Sequence, residues 1–450
     1  MTMTPQSPAG RPPARSRGEH GVDIRADVAV VGGGIIGHGI AWEAGQSGRS
    51  VVIIDDAPGT GASWAAAGML APVSELHYQE EDLLELMLHS SGLWPTFAAG
   101  LETGRASREP GADGPDTGYL TTPTLAVGAD AADRRALADL RGVQQAGGLT
   151  VEPLTVREAR GREPLLSPGI SCAFEIPADH QVDPRKLLAV ISDSLPGSAV
   201  RKRAAGLLWE DGHVSGVSLA GGGTVHAGET IIANGLESAS LGGLPPGLQL
   251  PLRPVYGDIL RLRVPAYLQP LLTSTVRGMV HGVPVYIVPR QDGTVVIGAT
   301  QREDSLSGAG IDTPVTAPAG PVTPAGSAVS AGGVYQLLRD AQVLVPAVAE
   351  LELLEATARA RPGTPDNAPL LGRVAAAGTG LDIEGLIIAT GFFRHGVLLT
   401  PAAASICRQL MDGDADPRWA PVRPDRFSGL SAGPATPAHT VTIDPNKETA

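Results

Sequence analysis

VAVVGGGIIG (residues 28–37), followed by SVVIID (residues 50–55), decides the fold of this chain. The first four residues are an apolar strand, and the glycines that follow fall at Gly32, Gly34 and Gly37. A helical stretch then leads into a second apolar strand that closes on Asp55, about 20 residues beyond the glycines. Gly32 lets the chain turn tightly off the strand, Gly34 lets backbone approach a pyrophosphate, and Gly37 lets the helix pack close to the sheet. The helix N-terminus offers unpaired N–H groups to phosphate charge, and Asp55 is placed to accept hydrogen bonds from a ribose. Strand, turn, helix, strand and acid in this order predict a dinucleotide site on an α/β sheet, with NAD and FAD both open.

Outward from this unit, the 450 residues carry a net charge of −13, with 42% hydrophobic and 18% charged residues. That acidity argues against a nucleic-acid partner, which requires a basic face. It does not argue against a dinucleotide, which is held by local N–H groups. No stretch approaches the roughly 20 apolar residues that span a bilayer. The N-terminus (MTMTPQSPAGRPPARSRG) lacks the apolar run of a secretory signal. Cys172 and Cys407, far apart and in no metal or redox spacing, read as two reduced thiols. The expected location is the cytoplasm.

The expected fold class is α/β (α+β): a discontinuous Rossmann-like domain with an inserted antiparallel-sheet substrate domain. The nucleotide-binding pieces are assigned to residues 25–104, 150–250 and 362–425, and the substrate domain to 105–149 and 251–361. Residues 1–24 and 426–450 are read as disordered tails, and 305–330, rich in Gly, Ala, Pro and Ser, as a surface excursion. Helices are expected at 79–101, broken at Pro95, and at 131–145, 183–195 and 396–411. Short alternating strands run from Arg253 to Ala299.

Directly after Asp55 comes GTGASWAAAGML (Gly59–Leu70), whose small residues allow either a planar ring against the backbone or a close helix contact. Four blocks of the chain, in order, resemble the glycine oxidase family, D-amino-acid-oxidase-like FAD enzymes of thiamine biosynthesis. GASWAAAGMLAPVSE (Gly61–Glu75) resembles the family's flavin-contacting stretch, and VYIVPRQDGTVVIGAT (Val285–Thr300) its central sheet. RPGTPDNAPLLGR (Arg361–Arg373) resembles the segment with the substrate-binding arginine, and ATGFFRHGVLLTP (Ala389–Pro401) the C-terminal flavin motif.

Carried over residue by residue, the resemblance implies FAD as cofactor. Ile35 and Ile36 would lie at the pyrophosphate turn, and Asp55 and Asp56 at the adenosine ribose. Ala62, Ser63, Ala67, Gly68 and Met69 would follow the flavin half, with Ala205 near the adenine. Phe392, Phe393, Arg394, His395, Gly396, Val397 and Leu398 would bring backbone N–H groups to the pyrimidine end of the flavin. On the substrate side, Arg361 matches the carboxylate clamp, Tyr286 a carboxylate-bonding tyrosine and Arg394 an arginine at the flavin face. A planar guanidinium can hold a carboxylate bidentately and so orient the Cα–H.

Two positions depart from the family pattern: Pro284 and Phe392 stand where its histidines do. The remaining histidines form no metal-ligand spacing, no metal is expected, and His281 reads as a loop residue. The implied reaction is oxidative deamination of glycine and other small amino acids to the 2-oxo acid, ammonia and hydrogen peroxide. The expected partners are therefore a small amino acid and oxygen, with no nucleic acid and no membrane, and with a homo-oligomer left open. The rivals are a D-amino acid or sarcosine oxidase, a carrier-linked dehydrogenase, and a non-catalytic dinucleotide-binding protein. A carboxylate clamp at Arg361 counts against the last.

Overall fold

The computed structural model describes residues 14–18, 21–76, 80–106, 116–303 and 328–429. The central strand Gly21–Val31 pairs in parallel with Val51–Ile54 on one side and Thr224–Ile232 on the other. Val51–Ile54 pairs onward with Ala199–Val200, and the C-terminal end of Thr224–Ile232 with Asp382–Thr390, again in parallel. Parallel strands covered on both faces require near-continuous apolar runs, which VAVV, VVII and GLIIAT provide. Antiparallel strands Ala204–Glu210, His213–Leu219 and Leu370–Ala375 extend this sheet.

Helices Ile35–Gln46 and Thr400–Asp412 pack together on one face, with Glu81–Ala106 and Pro184–Ser194 beside them. Ile40, Trp42, Trp94, Phe97 and Ile406 fill that layer. Glu81–Ala106 runs through Pro95 where a break was expected. Ser90 and Trp94, in the turn before Pro95, both donate to the Leu398 carbonyl, at 2.7 and 2.9 Å. These bonds and the burial of Trp94 and Phe97 offset the backbone bond that proline removes. The last helix starts at Thr400 rather than near 396, because Phe393–His395 forms a tight turn first.

The second sheet has the order 352–363, 253–263, 294–298, 283–289, 276–280, 124–128, 172–176, 152–154 among the described residues. Strands Glu152–Leu154 and Cys172–Ile176 were expected in the nucleotide-binding unit, but they pair here. Cys172–Ile176 is drawn in by Thr124–Gly128, which itself pairs in parallel with Val276–Val280. Such non-local pairing leaves no trace in the strand's own pattern. Helix Ala331–Leu344 covers one face through Leu337, Ala341 and Leu344.

The expected N-terminal tail is also shorter than residues 1–24. Ala14–Gly18 pairs antiparallel with the start of Gly21–Val31, since a sheet edge offers backbone partners whatever the side chains. At the other end the turn Pro424–Phe427 is ordered, with Arg426 donating to both carboxylate oxygens of Asp366 at 2.9 and 2.8 Å. Residues 304–327, most of the expected excursion, and 430–450 lie outside the described residues. Among the described residues no helix is long and apolar enough to cross a membrane. Cys172 and Cys407 are both free and buried.

Candidate active site

A single cavity of about 940 Å³ runs from the C-terminal ends of the parallel strands (Val31, Ile54, Ala233, Ala389) to the face of the second sheet. Ligands in open α/β sheets collect at those strand ends. At its nucleotide end, a Cβ on Gly32 would lie 2.5 Å from the Ala233 backbone, and one on Gly37 1.9 Å from the Gly32 carbonyl. These two glycines serve internal packing. A Cβ on Gly34 would meet only Ser63 Oγ, at 3.3 Å, so this residue faces the cavity. The first N–H of helix Ile35–Gln46 donates to Ser63 Oγ at 2.9 Å, but those of Ile36 and Gly37 have no acceptor among the described residues and no acidic residue stands in the first turn, which suits phosphate.

Asp55 accepts from Gly33 N at 2.6 Å through one oxygen and from Ala57 N at 2.8 Å through the other. Asp56 pairs with Arg203, whose Nη2 donates to Glu237 at 3.1 Å. Ile35, Ile36, Ala62, Ser63, Ala67, Gly68 and Met69 line the cavity with Asp55 and Asp56. Ala205 does not. Its carbonyl accepts from Gly242 N at 3.1 Å, and Arg203 and Ala204 take the lining positions expected of it.

Phe392 to Leu398 all line the cavity. The N–H groups of Val397 and Leu398 have no acceptor among the described residues. Phe393 is held at φ 45° and the lining residue Asn367 at φ 60°, a left-handed conformation that side chains disfavour. Strain of this kind persists where surrounding structure enforces it, commonly at binding sites.

The substrate-side residues converge from different strands. Tyr286 lies on Val283–Pro289 with its hydroxyl against Gly298, and burial pushes its phenol pKa up. Arg361 lies on Glu352–Gly363 and neither hydrogen-bonds nor pairs with any carboxylate among the described residues. Arg394 is engaged: its Nε donates to Glu75 at 2.9 Å, and Nη2 to Glu80. Glu75 also binds Arg277, and Glu80 accepts from Asn367 Nδ2 at 2.9 Å. Burial opposes ionisation of Glu75, but Arg277, His395 and Arg394 outweigh it and hold the carboxyl far below its ordinary pKa.

Arg277, Glu75, Glu80, Asn367 and Arg203 all line the cavity, and sequence reasoning gave none of them a role. Arg277 was within reach of it: it stands directly opposite Tyr286 in the antiparallel pair, so the two share a face. His281 is exposed, with Nδ1 3.1 Å from Asp130, and does not line the cavity. Among the described residues no cluster of His, Cys, Asp or Glu is placed to hold a metal ion.

A glycine-lined phosphate turn, a long cavity and unpaired N–H groups at its far end fit an extended FAD. The family model described as FAD dependent oxidoreductase matches residues 27–410. The chain belongs to this family. It is 33% identical over 407 residues to the glycine oxidase of Geobacillus kaustophilus, covering 86% of this chain and 93% of that one. It is 28% identical to the bifunctional protein ThiO/ThiG of Trichormus variabilis, of which it spans 55%. The crystal structure of glycine oxidase from Geobacillus kaustophilus superposes with a TM-score of 0.73 at 29% identity, covering 89% of this chain and 99% of that one.

The family's FAD supplies an acceptor for two electrons from a substrate C–H bond. This chain's glycine turn and helix N-terminus would hold the pyrophosphate, Asp55 and Asp56 the ribose, and residues 62–69 and 392–398 the ring.

Proposed function

We propose that this protein oxidises glycine, and other small amino acids, to the 2-oxo acid and ammonia with oxygen as final acceptor, in the service of thiazole formation for thiamine. The unpartnered guanidinium of Arg361 carries this reading. It lies in the same cavity as Tyr286, whose phenol is a neutral donor at physiological pH. A guanidinium and a phenol together suit one carboxylate, and their geometry would fix the Cα–H of a small amino acid. Arg394, already neutralised by Glu75 and Glu80, is left as a positioning residue that ties these two carboxylates to the flavin motif.

Similarity to glycine oxidase over most of the chain supports glycine as substrate, and the ThiO/ThiG relative supports the thiamine setting. The test is peroxide release from purified, FAD-loaded protein supplied with glycine, sarcosine and D-alanine. Peroxide from glycine supports the proposal. Turnover seen only with an artificial dye acceptor would replace it with a carrier-linked dehydrogenase.

A further inference from the structure

The segment between Ser63 and Met69 is gripped from behind by arginines that the reading above leaves without a role. Arg185 Nε donates to the Trp64 carbonyl at 3.1 Å. Arg261 Nη2 spans the carbonyls of Trp64 and Ala66, at 3.2 and 3.4 Å. Arg290 donates to the carbonyl of Ala67 through Nη2 and to that of Val182 through Nη1, the latter at 2.8 Å. Three guanidiniums thus converge on one short stretch of backbone, countered by Glu355 and Asp183. Glu355 takes Arg185 bidentately at 3.0 and 2.8 Å and accepts from Trp64 Nε1 at 3.0 Å.

The arrangement is costly. Burial, with Arg185 and Arg290 nearby, lowers the pKa of Arg261 to about 10. The Arg290 side chain is 4% exposed, and its Nε has no hydrogen-bond acceptor. Like charges crowded in a low-dielectric setting call for a compensating role.

The role follows from peptide geometry. In a trans peptide the C=O and N–H point in opposite directions. Pulling the Ala66 and Ala67 carbonyls toward Arg261 and Arg290 therefore turns the N–H groups of Ala67 and Gly68 the other way. Both residues line the cavity, both are buried, and neither N–H has an acceptor among the described residues. A buried N–H without an acceptor is rare and requires a partner. Gly68 is fixed as well, at φ 78° with no room for a Cβ beside the Val182 carbonyl.

We infer that Arg261 and Arg290 are positioning residues that aim the N–H groups of Ala67 and Gly68 at the bound flavin and thereby favour its reduced form. The inference rests on the family's FAD. Donors fixed before reaction strengthen as negative charge develops on the ring, at no reorganisation cost.

The experiment compares wild type with Arg261→Met and Arg290→Met, reading the FAD dissociation constant, the flavin midpoint potential and the visible spectrum. Circular dichroism of the apoproteins checks folding. The expected result is a dissociation constant raised about tenfold or more, a more negative potential and a shifted flavin band. Arg261→Lys, which keeps the charge on a shorter side chain without the planar fork, falls between. Folded Met variants with FAD affinity within about twofold of wild type and an unshifted potential overturn the inference. If a Met variant does not fold, an unchanged potential in Arg261→Lys overturns it equally. Wild-type protein that takes up no FAD would instead contradict the cofactor assignment itself.

Discussion

The guanidinium of Arg361 lies over Gly257, where a Cβ would come within 2.4 Å of both Nη atoms. Arg359, not Arg361, is the direct cross-strand partner of Gly257, so Arg361 reaches diagonally over the one residue that leaves room. Gly257→Ala therefore displaces the clamp without removing its charge. The obstructing atoms are the far end of a flexible side chain, so the fold survives. The expected outcome is an apparent KM for small amino acids raised about tenfold, with FAD content unchanged. Steady-state kinetics and flavin absorbance check it, and an unaltered KM would take Arg361 out of substrate binding.

Glu75 is a buried anion between Arg277 and Arg394, and its carboxyl is held far below the ordinary range. A depressed carboxylate pKa adds stability that is present above the unfolded-state value and lost as pH falls through the folded one. Glu75→Gln leaves the half-buried Arg277 without its counter-charge and Arg394 with Glu80 alone. We expect a loss of about 3 kcal/mol at neutral pH and a flatter acid limb of the stability curve. Denaturant titrations between pH 3 and pH 7 measure both, and an undiminished acid limb would assign it to other groups.

Asp179 behaves in the opposite sense. Its side chain accepts from the N–H groups of Val73 and Ser74, both at 2.9 Å, but burial raises its pKa to about 6. The folded protein thus holds this proton more tightly than the unfolded chain. The resulting stability is fully present below the unfolded carboxyl value and is lost as pH rises through about 6. The shift corresponds to about 3 kcal/mol. Asp179→Asn should remove this slope between pH 4 and pH 6, whatever it does to absolute stability. Persistence of the slope in the variant would show that another group titrates.

The parallel core was legible because VAVV, VVII and GLIIAT are local apolar runs, and the glycine turn because its spacing is local too. Cys172–Ile176 was misplaced because its partner, Thr124–Gly128, is distant in sequence, and Glu152–Leu154 goes with it because it pairs with Cys172–Ile176. The same distinction divides the site. Residues expected from contiguous motifs, such as Asp55, Gly68 and Phe393, line the cavity. Arg277 needs the register that sets it opposite Tyr286, and Glu80 acquires its role only when Arg394 arrives from over 300 residues away. Ala205, expected near the adenine, does not line the cavity, whereas its neighbours Arg203 and Ala204 do.

Pro284 and Tyr286 are two apart on one strand and so share a face, and both line the cavity with Phe392. Where the family resemblance implies two imidazoles, this wall carries a pyrrolidine and a phenyl ring, neither with a side-chain donor. An apolar wall tolerates an N-methyl group that a hydrogen-bonding imidazole would meet unfavourably. Discrimination of one methyl by a pocket wall is worth about 1–3 kcal/mol. Pro284→His should therefore lower kcat/KM for sarcosine relative to glycine by about tenfold, with little change in FAD affinity. Measuring both substrates on wild type and variant decides it. A ratio that does not move would separate Pro284 from substrate choice and leave Phe392 as the position to exchange.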